Sequence, residues 1–229
     1  MMLQHRLPLA RQLCRPSPAV QMAASAERAQ IKRPVLLIDV MDTICYDPFF
    51  KAMPVHFGMT FKELLHAKHP TAWVEFECGR ISEDELCRIF FADGRPVDKQ
   101  SLKAMLLSNY RFLDGMEPLL ARLAQAGYEV HALSNYPVWW QMIEDKLRLS
   151  RYLRWTFISC SGPMQGVRKP SPAAYQRALQ HLALAPQDVV FVDDRQVNVD
   201  GAQDLGIQSL LFTGAQELEQ QLQEKGLVF

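Results

Sequence analysis

Four short stretches stand in one order along the chain, each closing an apolar run: Leu36-Leu37-Ile38-Asp39-Val40-Met41-Asp42-Thr43, Ala132-Leu133-Ser134-Asn135, Val167-Arg168-Lys169-Pro170 and Phe191-Val192-Asp193-Asp194. A carboxylate, a hydroxyl, a lysine and a carboxylate pair are the parts needed to transfer a phosphoryl group with a divalent metal. The carboxylate can act as nucleophile and split one hard displacement into two easier ones. Paired acids offer hard oxygen ligands of the kind Mg²⁺ prefers, and an ammonium and a hydroxyl can stabilise charge on the phosphoryl oxygens. Each stretch alone is a weak signal, since a strand-end serine is commonly a cap and a lysine commonly a surface group. The ordered set is specific.

The elements that would position these residues are legible from periodicity. Pro34 precedes the continuous apolar run Val35 to Ile38, which reads as a strand buried on both faces. Similar strands are expected at about Tyr128–Leu133, Trp155–Ser159, Val189–Val192 and Ser209–Phe212. Between them, Met116, Leu119, Leu120 and Leu123 share one helix face that Gly127 ends, and Ser171-Pro172 opens another helix through His181. Strands alternating with helices imply parallel strands joined by right-handed crossovers, a doubly wound α/β core. In such sheets ligands bind beyond the carboxyl ends of the strands, where Asp39, Ser134 and Asp193-Asp194 fall.

Roughly 65 residues separate the first strand from the next core helix, too many for a plain connection. Thr60 with Glu63 and Ser82 with Glu85 have the spacing of capping boxes, each opening an apolar-periodic stretch. A small α-helical subdomain over residues 47–110 is therefore expected, inserted into a core formed by 31–46 and 111–229.

Composition narrows the function classes. Lys plus Arg and Asp plus Glu both total 25 in the 229 residues, which removes any electrostatic argument for nucleic acid or an anionic membrane surface. No window approaches the roughly 18 to 20 apolar residues of a membrane span, so a soluble protein is expected, as monomer or homodimer. The five cysteines (Cys14, Cys45, Cys78, Cys87, Cys160) are scattered and form no CxxC pair, which argues against a disulfide framework and a zinc site. In residues 1–30, Arg6, Arg11 and Arg15 occur with no acid before Glu27, amid Ser, Ala, Leu and Gln. That composition reads as an organelle transit peptide, with Val20-Gln21-Met22-Ala23-Ala24 offering small residues for cleavage, or else as a disordered leader.

From Val35 to the C-terminus the chain resembles the haloacid dehalogenase (HAD) superfamily of hydrolases, with all four motifs in order and an insertion at the first cap position (C1). The resemblance implies a Rossmann-like core, a phosphoric monoester hydrolase and Mg²⁺ as cofactor. It implies that Asp39 attacks phosphorus, that Ser134 holds a phosphoryl oxygen, and that Lys169 balances charge. The metal would be held by the Asp39 carboxylate, the backbone carbonyl of Met41 and Asp193, with Asp194 supporting through solvent. The paired acids Asp193-Asp194 speak against the metal-free dehalogenases of the superfamily. Asn198 would support the metal site or cap its loop.

One part is altered. Family phosphatases usually carry an aspartate two residues after the nucleophile, where it protonates the leaving oxygen and later activates water; here that position is Met41, which cannot exchange a proton. Asp42, one residue on, is the candidate displaced acid, or it caps the turn. Loss of a general acid typically costs about 10² to 10⁴ in rate rather than all catalysis.

Candidate substrate contacts are Asn135, Trp73 and Phe76, with Phe49, Phe50, Trp139 and Trp140 as further aromatic residues on which a flat substrate could stack. The wording Asp39-Val40-Met41-Asp42-Thr43-Ile44, Asp47-Pro48-Phe49, Trp73-Val74-Glu75-Phe76-Glu77 and Ser134-Asn135-Tyr136-Pro137 resembles a plastid branch of the superfamily in plants and algae, associated with hydrolysis of flavin mononucleotide (FMN) to riboflavin. The resemblance thus implies a small phosphorylated metabolite as partner and a chloroplast location, with mitochondrion or cytoplasm as alternatives. Its rivals are a phosphatase for another small metabolite and a non-catalytic binding or regulatory protein that kept the fold without the acid at position 41.

Overall fold

The computed structural model describes residues 33–229, and the leader-like residues 1–30 lie outside that range. Five parallel strands, β1 (Val35–Ile38), β2 (Val130–Ser134), β3 (Arg154–Ile158), β4 (Val189–Asp193) and β5 (Gln208–Leu211), form one sheet in the order β3-β2-β1-β4-β5. The expected strands appear with bounds shifted by one or two residues. The central three are buried along their whole length, as their unbroken apolar runs require. At the edges β3 and β5 begin on the exposed Arg154 and Gln208, because an edge strand has only one neighbour to cover it.

Alternation along the strands divides the core into two. Leu36, Ile38, Val130, Ala132, Val190 and Val192 face one side, while Leu37, Leu133, Phe157, Val189 and Phe191 face the other. The first side is covered by α6 (Met116–Gln125), α7 (Trp140–Leu147) and α10 (Ala215–Glu224), through Leu119, Leu120, Leu123, Ile143, Leu218 and Leu222. The second is covered by α8 (Pro172–Leu182) and α9 (Gln196–Gln203), through Ala174, Tyr175, Ala178 and Ala202. This is the doubly wound arrangement, and strand order reverses between β1 and β4.

Between β1 and α6 lie five helices: α1 (Ala52–His56), α2 (Phe61–Ala67), α3 (Ala72–Glu77), α4 (Glu83–Ile89) and α5 (Lys99–Asn109). Both capping boxes form: Thr60 and Glu63 at α2, and Ser82 and Glu85 at α4, each with the side chain and backbone bonds made in both directions. Met53, Leu64, Phe76, Leu86, Leu102 and Leu106 bury the inner faces and run continuously into the core on the first side of the sheet. The helices are short, so their order depends on this packing rather than on intrinsic propensity. Cys45, Cys78 and Cys87 are buried and Cys160 half-buried, all four as free thiols.

Ser82→Ala removes the acceptor for the Glu85 N–H and should lower stability by about 1 kcal/mol. Urea unfolding of variant and wild type checks this; an unchanged midpoint would show that α4 does not depend on its cap.

Candidate active site

Register brings the chemistry together. Ile38 of β1 is level with Ala132 of β2 and Val192 of β4, so the next residues, Asp39 and Asp193, emerge side by side at the strand ends, with Ser134 at the end of β2. The Asp39 N–H donates to Val192 O at 2.9 Å and continues the ladder one step beyond β1. Lys169 enters from the loop before α8. Its Nζ donates to Asp39 Oδ1 at 2.7 Å and to Asp193 Oδ2 at 2.5 Å, bridging the two carboxylates.

Each member is held by a neighbour. The Asn135 side chain clamps the Lys169 backbone, its Oδ1 accepting the Lys169 N–H at 2.8 Å and its Nδ2 donating to Lys169 O at 2.9 Å. Lys169 precedes Pro170 through a cis peptide bond. Asp193 Oδ1 accepts from the Arg195 N–H and from Asn198 Nδ2, both at 2.9 Å. The backbone of Asn198 is tied in turn to Tyr175, whose hydroxyl donates to Asn198 O at 2.7 Å. Ser134 Oγ is buried with no hydrogen-bond partner among the described residues. Ser134 is fully buried and absent from the residues that line the cavity described below.

Electrostatics follows from burial. Burial pushes the Asp39 carboxyl up to about 8, against the pull of Lys169 and with Asp193 adding to the push. Burial also works against the Lys169 ammonium, but Asp39 and Asp193 outweigh it and hold its pKa above the ordinary lysine value. Asp194 is pushed up to about 6, by burial first and then by Asp193. Oxygens of Asp39, Asp193 and Asp194 all lie within 4.8 Å of one another. Three carboxylates against one ammonium leave the cluster short of positive charge, and the donor set is all oxygen, which suits a hard divalent cation.

The cluster opens into a cavity of about 570 Å³, a size ordinary for a small-molecule site. Asp39, Met41, Asp42, Asn135, Lys169, Asp194 and Asn198 line its floor. Asp42 stands at a positive φ of 52° and its Oδ1 accepts the Asp47 N–H at 2.8 Å, strapping the loop that leads into α1. Asp47 Oδ1 accepts the Phe49 N–H at 2.9 Å, and burial pushes this carboxyl up to about 7. The opposite wall is apolar and comes from the inserted helices: Phe49, Phe50, Phe61, Leu65 and Trp73.

The aromatic residues singled out in the sequence therefore divide. Trp73 lies on the wall, whereas Phe76 is absent from the lining; its buried ring packs edge-on against Trp139 at 4.8 Å between centroids. Trp139 is buried, with Nε1 donating to Glu83 Oε1 at 2.5 Å, and Trp140 packs against Trp155 at 5.0 Å. The lining also includes Phe61, Leu65, Lys68, Glu77, Tyr136, Arg168 and Arg195, none of them a candidate contact above, although Glu77, Tyr136, Arg168 and Arg195 adjoin motif residues.

The profile of the haloacid dehalogenase-like hydrolases matches residues 35–206. The chain belongs to that family. It is 49% identical over 196 residues to flavin mononucleotide hydrolase 1, a chloroplast protein of Arabidopsis thaliana, covering 86% of this chain and 79% of that one. Among solved structures, a HAD family enzyme of Bacteroides thetaiotaomicron in complex with magnesium superposes with a TM-score of 0.63 at 21% identity, over 80% of this chain and 94% of that one. The L-2-haloacid dehalogenase of Xanthobacter autotrophicus gives 0.54 at 17% identity, over 77% and 76%. These two show the shared fold. The chain is thus an enzyme, a HAD-type phosphatase, with the fold expected from its sequence.

The raised carboxyls make a pH prediction for the metal-free protein. Asp39, Asp47 and Asp194 in the folded state keep protons that the unfolded chain releases near pH 4, so their contribution to stability falls as pH rises from about 5 to 8. His131, whose pKa burial lowers, acts in the opposite sense over part of that range, so a variant must isolate the effect. With chelator present, Asp47→Asn should gain melting temperature relative to wild type on going from pH 5 to pH 8. A difference that is constant with pH would contradict the raised Asp47.

Proposed function

We propose that this enzyme is a Mg²⁺-dependent phosphatase that works through an aspartyl phosphate on Asp39 and hydrolyses FMN to riboflavin. The observation that carries the reaction type is the Lys169 bridge between Asp39 and Asp193, opening into an aromatic-walled cavity. The substrate rests on the resemblance to the Arabidopsis flavin mononucleotide hydrolase, and the aromatic wall of Phe49, Phe61 and Trp73 offers ring faces and edges to a fused ring. The oxygen cluster fits Mg²⁺: Asp39, Asp193 and the Met41 backbone carbonyl would hold it, with Asp194 supporting. When bound, it supplies the positive charge that lets an anionic carboxylate approach an anionic phosphate.

Asp39 attacks phosphorus while Lys169 and the Ser134 hydroxyl hold the phosphoryl oxygens. Asn135 keeps Lys169 in place through its backbone. The ribityl oxygen of FMN is a poor leaving group and needs a proton, which Met41 cannot give. Asp42 and Asp47 both line the cavity; Asp42 is engaged as the strap, and burial pushes Asp47 up to about 7, so it can give and take a proton near neutral pH. In this reading Asp47 protonates the leaving oxygen, then takes a proton from the water that attacks the phosphoaspartate, and Asp42 positions it. Residues 47–110 act as the cap that sets specificity. The leader composition together with the chloroplast relative supports a chloroplast location.

Phosphate release from a panel of phosphate esters including FMN, with Mg²⁺ or with chelator, tests the assignment. Asp39→Asn should lower turnover by more than about 10³-fold, and chelator should abolish it. Turnover of other esters but never of FMN would overturn the substrate; Asp39-independent turnover would overturn the mechanism. Asp47→Asn should lower kcat at least tenfold more for FMN than for p-nitrophenyl phosphate, whose leaving group needs little protonation. Equal losses on both substrates would remove Asp47 from proton transfer.

A further inference from the structure

A charged pair on the cavity wall has no part in the phosphoryl chemistry. Glu77, at the C-terminal end of α3, is 6% exposed yet lines the cavity. Arg168, next to Lys169, lines the same cavity, and its Nη2 stands 3.1 Å from Glu77 Oε2. That contact lacks hydrogen-bond geometry. Glu77 Oε2 and Arg168 Nε are both buried with no hydrogen-bond partner among the described residues.

The ion pair with Arg168 offsets part of the cost of burying Glu77, and the hydrogen bonds that Oε2 and Nε still lack leave room for a further partner. The position is also fixed from both sides. Ser159 Oγ donates to Glu77 O at 2.6 Å, and Arg80 Nη2 donates to Gly166 O at 3.1 Å, so the end of α3 is tied to the loop that carries Arg168 and Lys169. The acceptor and the donor are therefore side by side, held rigidly, and placed between the ionic floor and the aromatic wall.

We propose that Glu77 and Arg168 are the specificity pair of this site: the carboxylate and the guanidinium, both on the cavity wall, receive a donor and an acceptor on the uncharged half of the substrate. The ligand class is a phosphate ester whose organic part presents neutral hydrogen-bonding groups of both kinds. FMN satisfies this through its ribityl hydroxyls and the imide edge of its ring, and to that extent the inference rests on the flavin reading above. A site built around such groups rejects an ester that lacks them, because its own polar atoms are then left buried and unpaired.

Steady-state kinetics on FMN, with inorganic phosphate as competitive inhibitor, separates the possibilities. Glu77→Gln keeps the shape and removes the charge; Arg168→Lys keeps the charge and removes the fork. Each should raise KM for FMN roughly 10- to 100-fold, while kcat and the inhibition constant of phosphate move several-fold less. Phosphate reports on the Lys169 end alone, so a parallel rise in its inhibition constant would mean that the pair acts by positioning Lys169, and the inference fails. It fails also if FMN is turned over and KM stays within twofold in Arg168→Lys, a half-exposed position where folding is not at stake, whatever happens to Glu77→Gln. Wild-type enzyme that hydrolyses phenyl phosphate but never FMN would instead overturn the flavin reading, and this pair with it.

Discussion

The structure depends on one buried ammonium held between two carboxylates. Taking Lys169, Asp39 and Asp193 out of water carries a desolvation cost of several kcal/mol per ion, and their mutual attraction offsets it only if the geometry is fixed and the remaining lone pairs are bonded. The surroundings meet that condition. Asn135 clamps the lysine backbone, and Arg195 and Asn198 bond the second face of Asp193. The Asp39 N–H is locked to β4. What is left over is a surplus of carboxylate over ammonium charge and one open side, which a metal and a phosphate would fill together.

The sheet explains why these residues meet although they are spread over more than half of the chain. β1 sits at the centre, its neighbours β2 and β4 are reached by crossovers in opposite directions, and the strand-order reversal opens a crevice at their carboxyl ends. Every functional group on the floor follows a strand end or the loop before α8. The inserted helices leave from the same end, immediately after β1, so the wall they contribute necessarily stands over the floor.

The fold and the floor were legible in the sequence, and the wall only in part: Phe49, Phe50 and Trp73 stood among its aromatic candidates, whereas Phe61 and Leu65 did not. Val35 to Ile38 and Val189 to Val192 are unbroken apolar runs, Thr60 with Glu63 and Ser82 with Glu85 are local capping signals, and the four motifs keep their spacing. These are short-range patterns. Trp73 and Phe76, three apart on one short helix, look equivalent to a periodicity argument, yet only packing decides that one faces the cavity and the other Trp139. Glu77 and Arg168 meet across the joint between insert and core, and Asp47 matters through the strap from Asp42; no spacing rule encodes contacts of that kind. Asn135 was read as touching substrate; it lines the cavity, but its amide is engaged on both sides by the Lys169 backbone.

The account turns on Asp39 as the atom donor to phosphorus, with Lys169 and the acidic pair arranged around it. Acid quench of a single turnover of FMN in the presence of Mg²⁺, followed by borohydride reduction and peptide mass mapping, tests this most directly. Homoserine at position 39, reporting an aspartyl phosphate that forms and decays at rates that match turnover, is the predicted result. Full turnover with Asp39 never modified would show that water attacks the ester directly and would contradict the account.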